Sequence, residues 1–358
     1  MKNWNGKQMW WLLLLAVTVM TMTMAACGTP ASTGGAGGEG AVESQRLVVY
    51  SGRSETLVGP IIAQFEEASG IDVSVRYGST AEMAATILEE GANSPADVFY
   101  AQDPGGLGAV ANAGLFTALP DETLNKTDPF FRNPDGLWVG ISGRARVVVY
   151  NTEAIADPAS ELPADIFDFV EPKWNGRIGW APTNGSFQAM VTAMRVAWGE
   201  EKTAEWLEGI QANNPVVYEG NTQLVQGVAD GEVSVGFTNH YYLYRFLAEQ
   251  GEGFGARNYF LTGGGPGSLI MVSGAGQLAN GDNPENAVKF INFLLSTVAQ
   301  QYFAGQTFEY PMISEGVRLS AGLPALVDLE ATALEIDMTA LDDLQGTVAL
   351  MQQVGVLP

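Results

Sequence analysis

The chain has 358 residues, 46% hydrophobic and 16% charged, with 17 Lys or Arg against 40 Asp or Glu and a formal net charge of −23. So large an acidic excess argues against nucleic acid as a partner, because phosphate binding needs clustered cations. A single cysteine excludes an intrachain disulfide, and with one histidine beside it the chain is poorly supplied for zinc or copper.

Lys2 and Lys7 flank the start of an apolar run from Met9 to Ala26 that includes Trp10, Trp11 and Leu12 to Leu15. This is the layout of a secretory signal. Thr18, Thr21 and Thr23 dilute the run, and Ala25 and Ala26 close it, so residues 1–26 are expected to be cleaved rather than kept as a membrane span. Cys27 follows directly, and its setting after Met24, Ala25 and Ala26 resembles a bacterial lipoprotein box, which implies a diacylated Cys27 at the mature terminus. Residues 27–45, rich in Gly, Ser and Ala, read as a flexible tether. Cleavage removes two lysines and no acid, so 15 basic against 40 acidic residues leave −25, the charge of an acidic secreted surface.

About 310 residues remain, enough for one large or two ordinary domains. From Arg46 the pattern switches between β-branched runs and helix-period stretches. Leu47 to Tyr50 predicts a strand, and Glu55 to Ser69 a helix with Leu57, Ile61, Ile62 and Phe65 inward and Gly70 as its stop. Ile71 to Tyr77, Thr80 to Glu90 and Asp97 to Tyr100 continue as strand, helix and strand, the order of a parallel α/β sheet. A helical stretch from Leu107 to Leu115 precedes a long extended segment from Leu137 to Tyr150. A second α/β set follows: strands at Arg177 to Ala181, Pro215 to Tyr218 and Val233 to Thr238, and helices at Ser186 to Trp198, Ala204 to Ala212, Thr222 to Ala229 and His240 to Glu249. Leu269 to Ser273 reads as a return strand, Ala287 to Phe303 as one amphipathic helix, and the segment after Leu319 as helical. The expectation is two α/β lobes, each discontinuous in sequence: 46–147 with 272–320, and 148–271 with 321–358. Val147 to Tyr150 and Ser268 to Val272 are the expected hinge strands.

In open α/β sheets ligands sit beyond the carboxyl ends of strands, where helix amino termini present unpaired N–H groups. The residues that follow the expected strands are Ser51 to Ser54, Gly78 to Thr80, Gln102 and Asp103, Thr183 to Ser186, Asn221 and Thr222, and Asn239 to Tyr244. Each Gly/Ser turn alone is a common helix start. Several on facing lobes make an anion-binding cleft, with Thr183-Asn184-Gly185-Ser186 the best single cradle. The sharpest feature is Asn239-His240-Tyr241-Tyr242-Leu243-Tyr244-Arg245 at a helix opening. Tyrosines are usually half-buried packing residues. Two adjacent ones, however, cannot share an apolar helix stripe, whereas at a helix start both can lean over a cleft. Phenolate oxygen is a hard anionic donor suited to a hard trivalent cation. His240 is expected to point the other way and to cap or pack.

These residues resemble the ferric-ion-binding proteins of bacterial iron ABC importers, within the type II periplasmic-binding-protein fold. The resemblance is carried by LVVYSGRSE (47–55), VRYGSTAEM (75–83), ADVFYAQDPGGL (96–107), SGRARVVVYNTE (142–153), APTNGSF (181–187) and TNHYYLYR (238–245). It implies metal ligation by Tyr241 and Tyr242, with Tyr150 as a third tyrosine. It also implies anion or ligand support from Asn184, Gly185, Ser186, Asn221 and Asn239, with Arg146 as charge partner of a synergistic carbonate, phosphate or similar anion. Two departures stand out: Ser54 occupies a position where many members carry a histidine ligand, and Gln102 one where some carry a glutamate.

The functional expectation is a monomeric, lipid-anchored, extracytoplasmic solute-binding protein that closes on Fe3+ and delivers it to an ABC permease. Two other readings stay open. The same fold could take an organic solute, such as a polyamine, a thiamine-like compound, a phosphonate or a sugar phosphate, with the tyrosines stacking on it. A secreted enzyme is the other, opposed by the absence of any HExxH, Ser-Gly elbow or placed carboxylate pair.

Overall fold

Alternation along the first strand shows why a two-sided layer forms. Leu47 and Val49 enter one apolar cluster with Ile61, Phe65 and Phe290, while Val48 and Tyr50 face a second with Met83 and Phe99. The computed structural model describes Arg46–Pro358, so the leader, the tether and Cys27 lie outside the described residues.

The first elements are β1 (Arg46–Ser51), α1 (Glu55–Ser69), β2 (Asp72–Tyr77), α2 (Thr80–Glu90), β3 (Val98–Ala101) and α3 (Pro104–Asn112). Helix α1 buries Val58, Ile61, Ile62 and Phe65, spaced to one face, and stops at Gly70, whose φ of 72° suits a residue without a Cβ. Two short elements, β4 (Phe116–Thr117) and α4 (Asp121–Leu124), lead into β5 (Val139–Asn151). Next come α5 (Pro158–Glu161), β6 (Ile178–Trp180), α6 (Gly185–Trp198), α7 (Glu200–Ala212), β7 (Val216–Val217), α8 (Asn221–Ala229), β8 (Val235–Asn239), α9 (Tyr241–Gln250) and β9 (Ala256–Tyr259). The chain returns through β10 (Ile270–Leu278), followed by α10 (Pro284–Leu294), α11 (Thr297–Tyr302), a π-helical turn at Phe303–Thr307, β11 (Tyr310–Pro311), α12 (Leu326–Glu330) and α13 (Leu344–Gln353).

The strand order is β2-β1-β3-β10-β5-β8-β6-β7. β1 runs parallel to β2 and β3, and β6 parallel to β7 and β8. β5 changes partners along its length: its first half pairs antiparallel with β10 up to Ala145↔Ile270, and its second half pairs with β8 from Arg146↔Asn239. One continuous strand thus joins the first α/β lobe to the second, whose core is built around Phe169, Trp180, Phe187, Trp206 and Phe237.

Two helical expectations need correction. The single helix over Ala287 to Phe303 is two, because Ser296 starts α11 by accepting the Ala299 N–H at 3.3 Å. The segment after Leu319 is mostly irregular, with only α12 and α13 as α-helices. The C-terminal segment 321–358 also divides between the lobes. Leu323, Leu326, Leu329 and Met338 pack onto the β1–β3 side, whereas Leu350 and Met351 of α13 join the Trp180–Trp206 core. Its apolar spacing shows that it packs, not against which face. Among the described residues no helix is long and apolar enough to cross a membrane.

Candidate functional site

Strand β8 ends at Asn239, and His240 opens α9. His240 is fully buried; its Nδ1 accepts the Ala145 N–H at 3.1 Å, so Nε2 is the protonated nitrogen and donates to the Phe308 carbonyl at 2.8 Å. Burial pulls its pKa down to about 4, which keeps the ring neutral. His240 therefore packs and orients the helix start, and both ring nitrogens are occupied.

That anchoring aims the next two residues. The rings of Tyr241 and Tyr242 stack with centroids 4.4 Å apart and 26° between planes. Both line a cleft of about 370 Å³ together with Gly52, Ser54, Gln102 and Thr222. The phenols of one lobe thereby face the β1–α1 and β3–α3 turns of the other. Tyr241 is 5% exposed, and burial together with the neighbouring Tyr242 hydroxyl holds its pKa far above the ordinary phenol range. Without a cation it is a neutral phenol; a trivalent ion at the oxygen reverses that preference. Tyr244 is committed elsewhere, donating to the Gly322 carbonyl at 2.9 Å.

Opposite the tyrosines the donors are neutral. Ser54 Oγ lies 3.1 Å from Thr56 Oγ1, and Gln102 is held by its backbone, its N–H donating to Thr80 Oγ1 at 2.9 Å and its carbonyl accepting from Arg144. Among the described residues no group of three His, Cys, Asp or Glu side chains could hold a metal.

A polar cradle adjoins the phenols. Asn184 caps α6, its Oδ1 accepting the Ser186 N–H at 3.0 Å and hydroxyl at 2.6 Å. Asn221 Nδ2 donates to Ser186 Oγ at 3.2 Å, and Arg146 Nη1 donates to Ser186 Oγ at 3.2 Å and to Asn239 Oδ1 at 3.0 Å. A Cβ placed on Gly185 would meet nothing within 4 Å, so the backbone there is approachable. Arg146 is 2% exposed, yet among the described residues its Nε and Nη2 have no hydrogen-bond partner, and neither do Asn221 Oδ1 or Asn239 Nδ2. Burial pulls the Arg146 pKa down to about 9, with repulsion from Arg144 adding to it and the Tyr242 and Tyr241 phenols opposing it. The guanidinium stays charged at neutral pH, so a buried cation without a carboxylate sits beside two phenols. Such a group is satisfied by an exogenous anion.

The structure thus brings Tyr241, Tyr242, Ser54, Gln102, Arg146, Asn184, Gly185, Ser186, Asn221 and Asn239 to one region. Tyr150 does not join them. It pairs with Val235 at the start of β8, while Asn239 at its end pairs with Arg146, so four residues of extended chain, about 13 Å, separate Tyr150 from the cradle. Its ring packs against the second-lobe core, and it is corrected to a structural residue.

Two residues were not foreseen as a pair. Arg53 and Glu309, almost fully buried, form a two-pronged ion pair with both N···O distances at 2.8 Å, and Glu309 also accepts from Thr307 at 2.9 Å and Ser142 at 3.2 Å. Burial alone would raise the Glu309 carboxyl, but Arg53 overrides it and holds the pKa below the usual glutamate range. The lone acid within Phe308-Glu309-Tyr310-Pro311 was a usable signal, since an acid in an apolar run needs a cation partner.

An Fe(3+)-binding periplasmic protein of Serratia marcescens is 32% identical over 323 residues, spanning 90% of this chain and 94% of the relative. Iron-bound HitA from Pseudomonas aeruginosa superposes with a TM-score of 0.79 at 33% identity, over 87% of this chain and 99% of that one. Trichodesmium FutA, solved with iron and citrate, gives a TM-score of 0.73 at 29% identity, over 87% and 99%. The fold is that of the type II periplasmic binding proteins. Residues 60–331 match the family description, and the chain belongs to the bacterial extracellular solute-binding proteins.

Proposed function

We propose that this protein captures ferric iron between its lobes and delivers it to an ATP-driven importer, as the substrate-binding component. The observation that carries the reading is the stacked Tyr241–Tyr242 pair at the cleft, beside the partner-free guanidinium edge of Arg146. On coordination each phenol loses its proton and supplies a hard oxygen donor. Two phenolates leave the trivalent ion with a positive charge and open coordination positions. An oxyanion held by Asn184, Ser186, Asn221 and Arg146 supplies further donors, and the neutral oxygens of Ser54 and Gln102 lie within the same cleft.

Relatives named for ferric iron binding support the metal over an organic cargo, and their names are those of binding proteins rather than enzymes. Closure would turn on β5 and β10, the strands between the lobes. The acyl anchor on Cys27, an extracytoplasmic location and a monomeric state belong to the same proposal.

Adding ferric iron with bicarbonate to the purified apoprotein tests the reading. A phenolate-to-iron absorption band should appear with one iron bound per chain, and Tyr241→Phe combined with Tyr242→Phe should abolish it. A protein that stays colourless and whose melting temperature ignores ferric iron would sink the iron assignment and leave the organic-solute reading.

A further inference from the structure

A second space lies between the lobes beside the phenol cleft, a cavity of about 630 Å³. The turns after β2 and β3 divide the two: Gly78 and Gln102 line the phenol cleft, and the next residues, Ser79 and Asp103, line the cavity. Helices α2 and α3 wall it from the first lobe through Leu88 and Ala109, and α6 from the second through Gln188 and Thr192. Its third wall is the chain from Leu341 to Gln345.

That chain is where the polypeptide passes between the lobes for the third time, after the step from Ala145 to Arg146 on β5 and the return into β10 at Ile270. Both ends of the passage are fixed. On the first lobe the 3-10 turn Met338–Leu341 lies directly on α3: a Cβ on Gly105 would come within 2.5 Å of the Leu341 carbonyl oxygen, and one on Gly108 within 2.6 Å of that of Thr339. This approach accounts for Pro104-Gly105-Gly106-Leu107-Gly108, a glycine content that otherwise weakens a helix. Asn112 at the end of α3 donates to Asp342 Oδ2 at 2.7 Å. On the second lobe Arg195 of α6 holds the very next residue, with Nη2 2.8 Å from Asp343 Oδ2 and Nη1 donating to the Asp343 carbonyl at 2.9 Å. Thr192 and Thr347 then join α6 to α13 through buried hydroxyls 2.8 Å apart. Two consecutive aspartates are thus anchored to opposite lobes, and their Cα atoms stay about 3.8 Å apart however the lobes move.

On the phenol side no described segment passes between the lobes. There α9 meets the first-lobe chain at Phe308 and Gly322 through hydrogen bonds from His240 and Tyr244, contacts that can be exchanged for water as a peptide bond cannot. Resting on the reading of a cleft that closes on ferric iron, we propose that Asp342 and Asp343 are positioning residues of binding. They form a third hinge point that holds the α3 and α6 edges together, so the lobes part on the α1–α9 side. Iron enters and leaves there, past Thr56, Thr222 and Arg245, and the restricted swing slows its release.

Pairs of nitroxide labels read the two edges by double electron–electron resonance, on a Cys27→Ser background. Gln64→Cys with Glu249→Cys spans α1 and α9, and Glu89→Cys with Ala197→Cys spans α2 and α6; all four positions are exposed. On loading with ferric iron and bicarbonate the first distance should shorten by several ångströms, and the second should stay within the width of its own distribution. Inserting Gly-Gly between Asp342 and Asp343 keeps both anchors and adds slack. It should broaden the Glu89–Ala197 distribution and speed loss of the phenolate band to a competing chelator by about tenfold, with the band maximum unmoved. Asp342→Ala, which removes only the exposed contact to Asn112, should act in the same direction by a smaller factor. Equal shortening at both edges of the wild type, or an insertion that alters neither the Glu89–Ala197 distribution nor the release rate, overturns the proposal and leaves the iron reading standing. Wild type that takes up no iron overturns the iron reading, and the apoprotein distributions with and without the insertion then decide the crossing.

Discussion

His240 Nε2 donates to the Phe308 carbonyl at 2.8 Å, linking the residue before the paired tyrosines to the residue before Glu309. Phe308 has a φ of 58°, uncommon for a side chain of its size, and its neighbour Glu309 grips Arg53, just before Ser54. The dipeptide therefore ties both rims of the cleft, the tyrosine rim through a carbonyl and the Ser54 rim through a carboxylate.

The histidine sets an acid limit on the apoprotein. Its folded pKa is depressed to about 4 from 6.5, so between those values the unfolded chain binds the extra proton. Its contribution is full above pH 6.5 and is lost as pH falls toward 4, by up to about 3 kcal/mol. Urea unfolding of wild type and His240→Gln across that window checks this: the stability gap between them should narrow as the pH drops. A gap that stays constant would contradict the neutral-ring assignment.

Glu309→Gln leaves Arg53 charged and buried without its carboxylate. It should cost about 3–5 kcal/mol in unfolding free energy, whereas Arg53→Met with Glu309→Gln should cost less than the single change. Because the Glu309 pKa is depressed, its stabilisation is present above the ordinary glutamate range and disappears as pH falls through the lowered value. A double variant no more stable than the single would show that the pair is not the coupled unit.

Replacing Arg146 tests the cradle apart from the phenols. Arg146→Gln should weaken bicarbonate or phosphate dependence of iron loading by about tenfold to a hundredfold while the phenolate absorption band survives. The measurement is the anion concentration for half-maximal band intensity at fixed ferric iron. An unchanged midpoint would remove Arg146 from anion binding.

Tyr150→Phe should change iron affinity by less than about twofold, as expected for a side chain outside the site. Titration followed at the absorption band decides it. Loss of the band in this variant would restore Tyr150 as a ligand and falsify its structural assignment.

The amino-acid sequence by itself determined the alternating α/β elements, because apolar period and the strand–turn–helix punctuation at Gly70, Asn184 and Asn221 are local properties. It also marked most of the cleft, since ligand groups in such sheets gather at strand ends, and Ser54, Gln102, Asn184 and Tyr241 all follow strands. Only the tertiary structure decided which of these groups face one another. Tyr150 looked eligible by type, but antiparallel registry carried it to the far end of β8; Glu309 lies 256 positions beyond Arg53, and its partner could be identified only once the folded chain had closed around a buried charge. Chemistry of a residue is written in its side chain, whereas its partner is set by long-range pairing that no local pattern encodes.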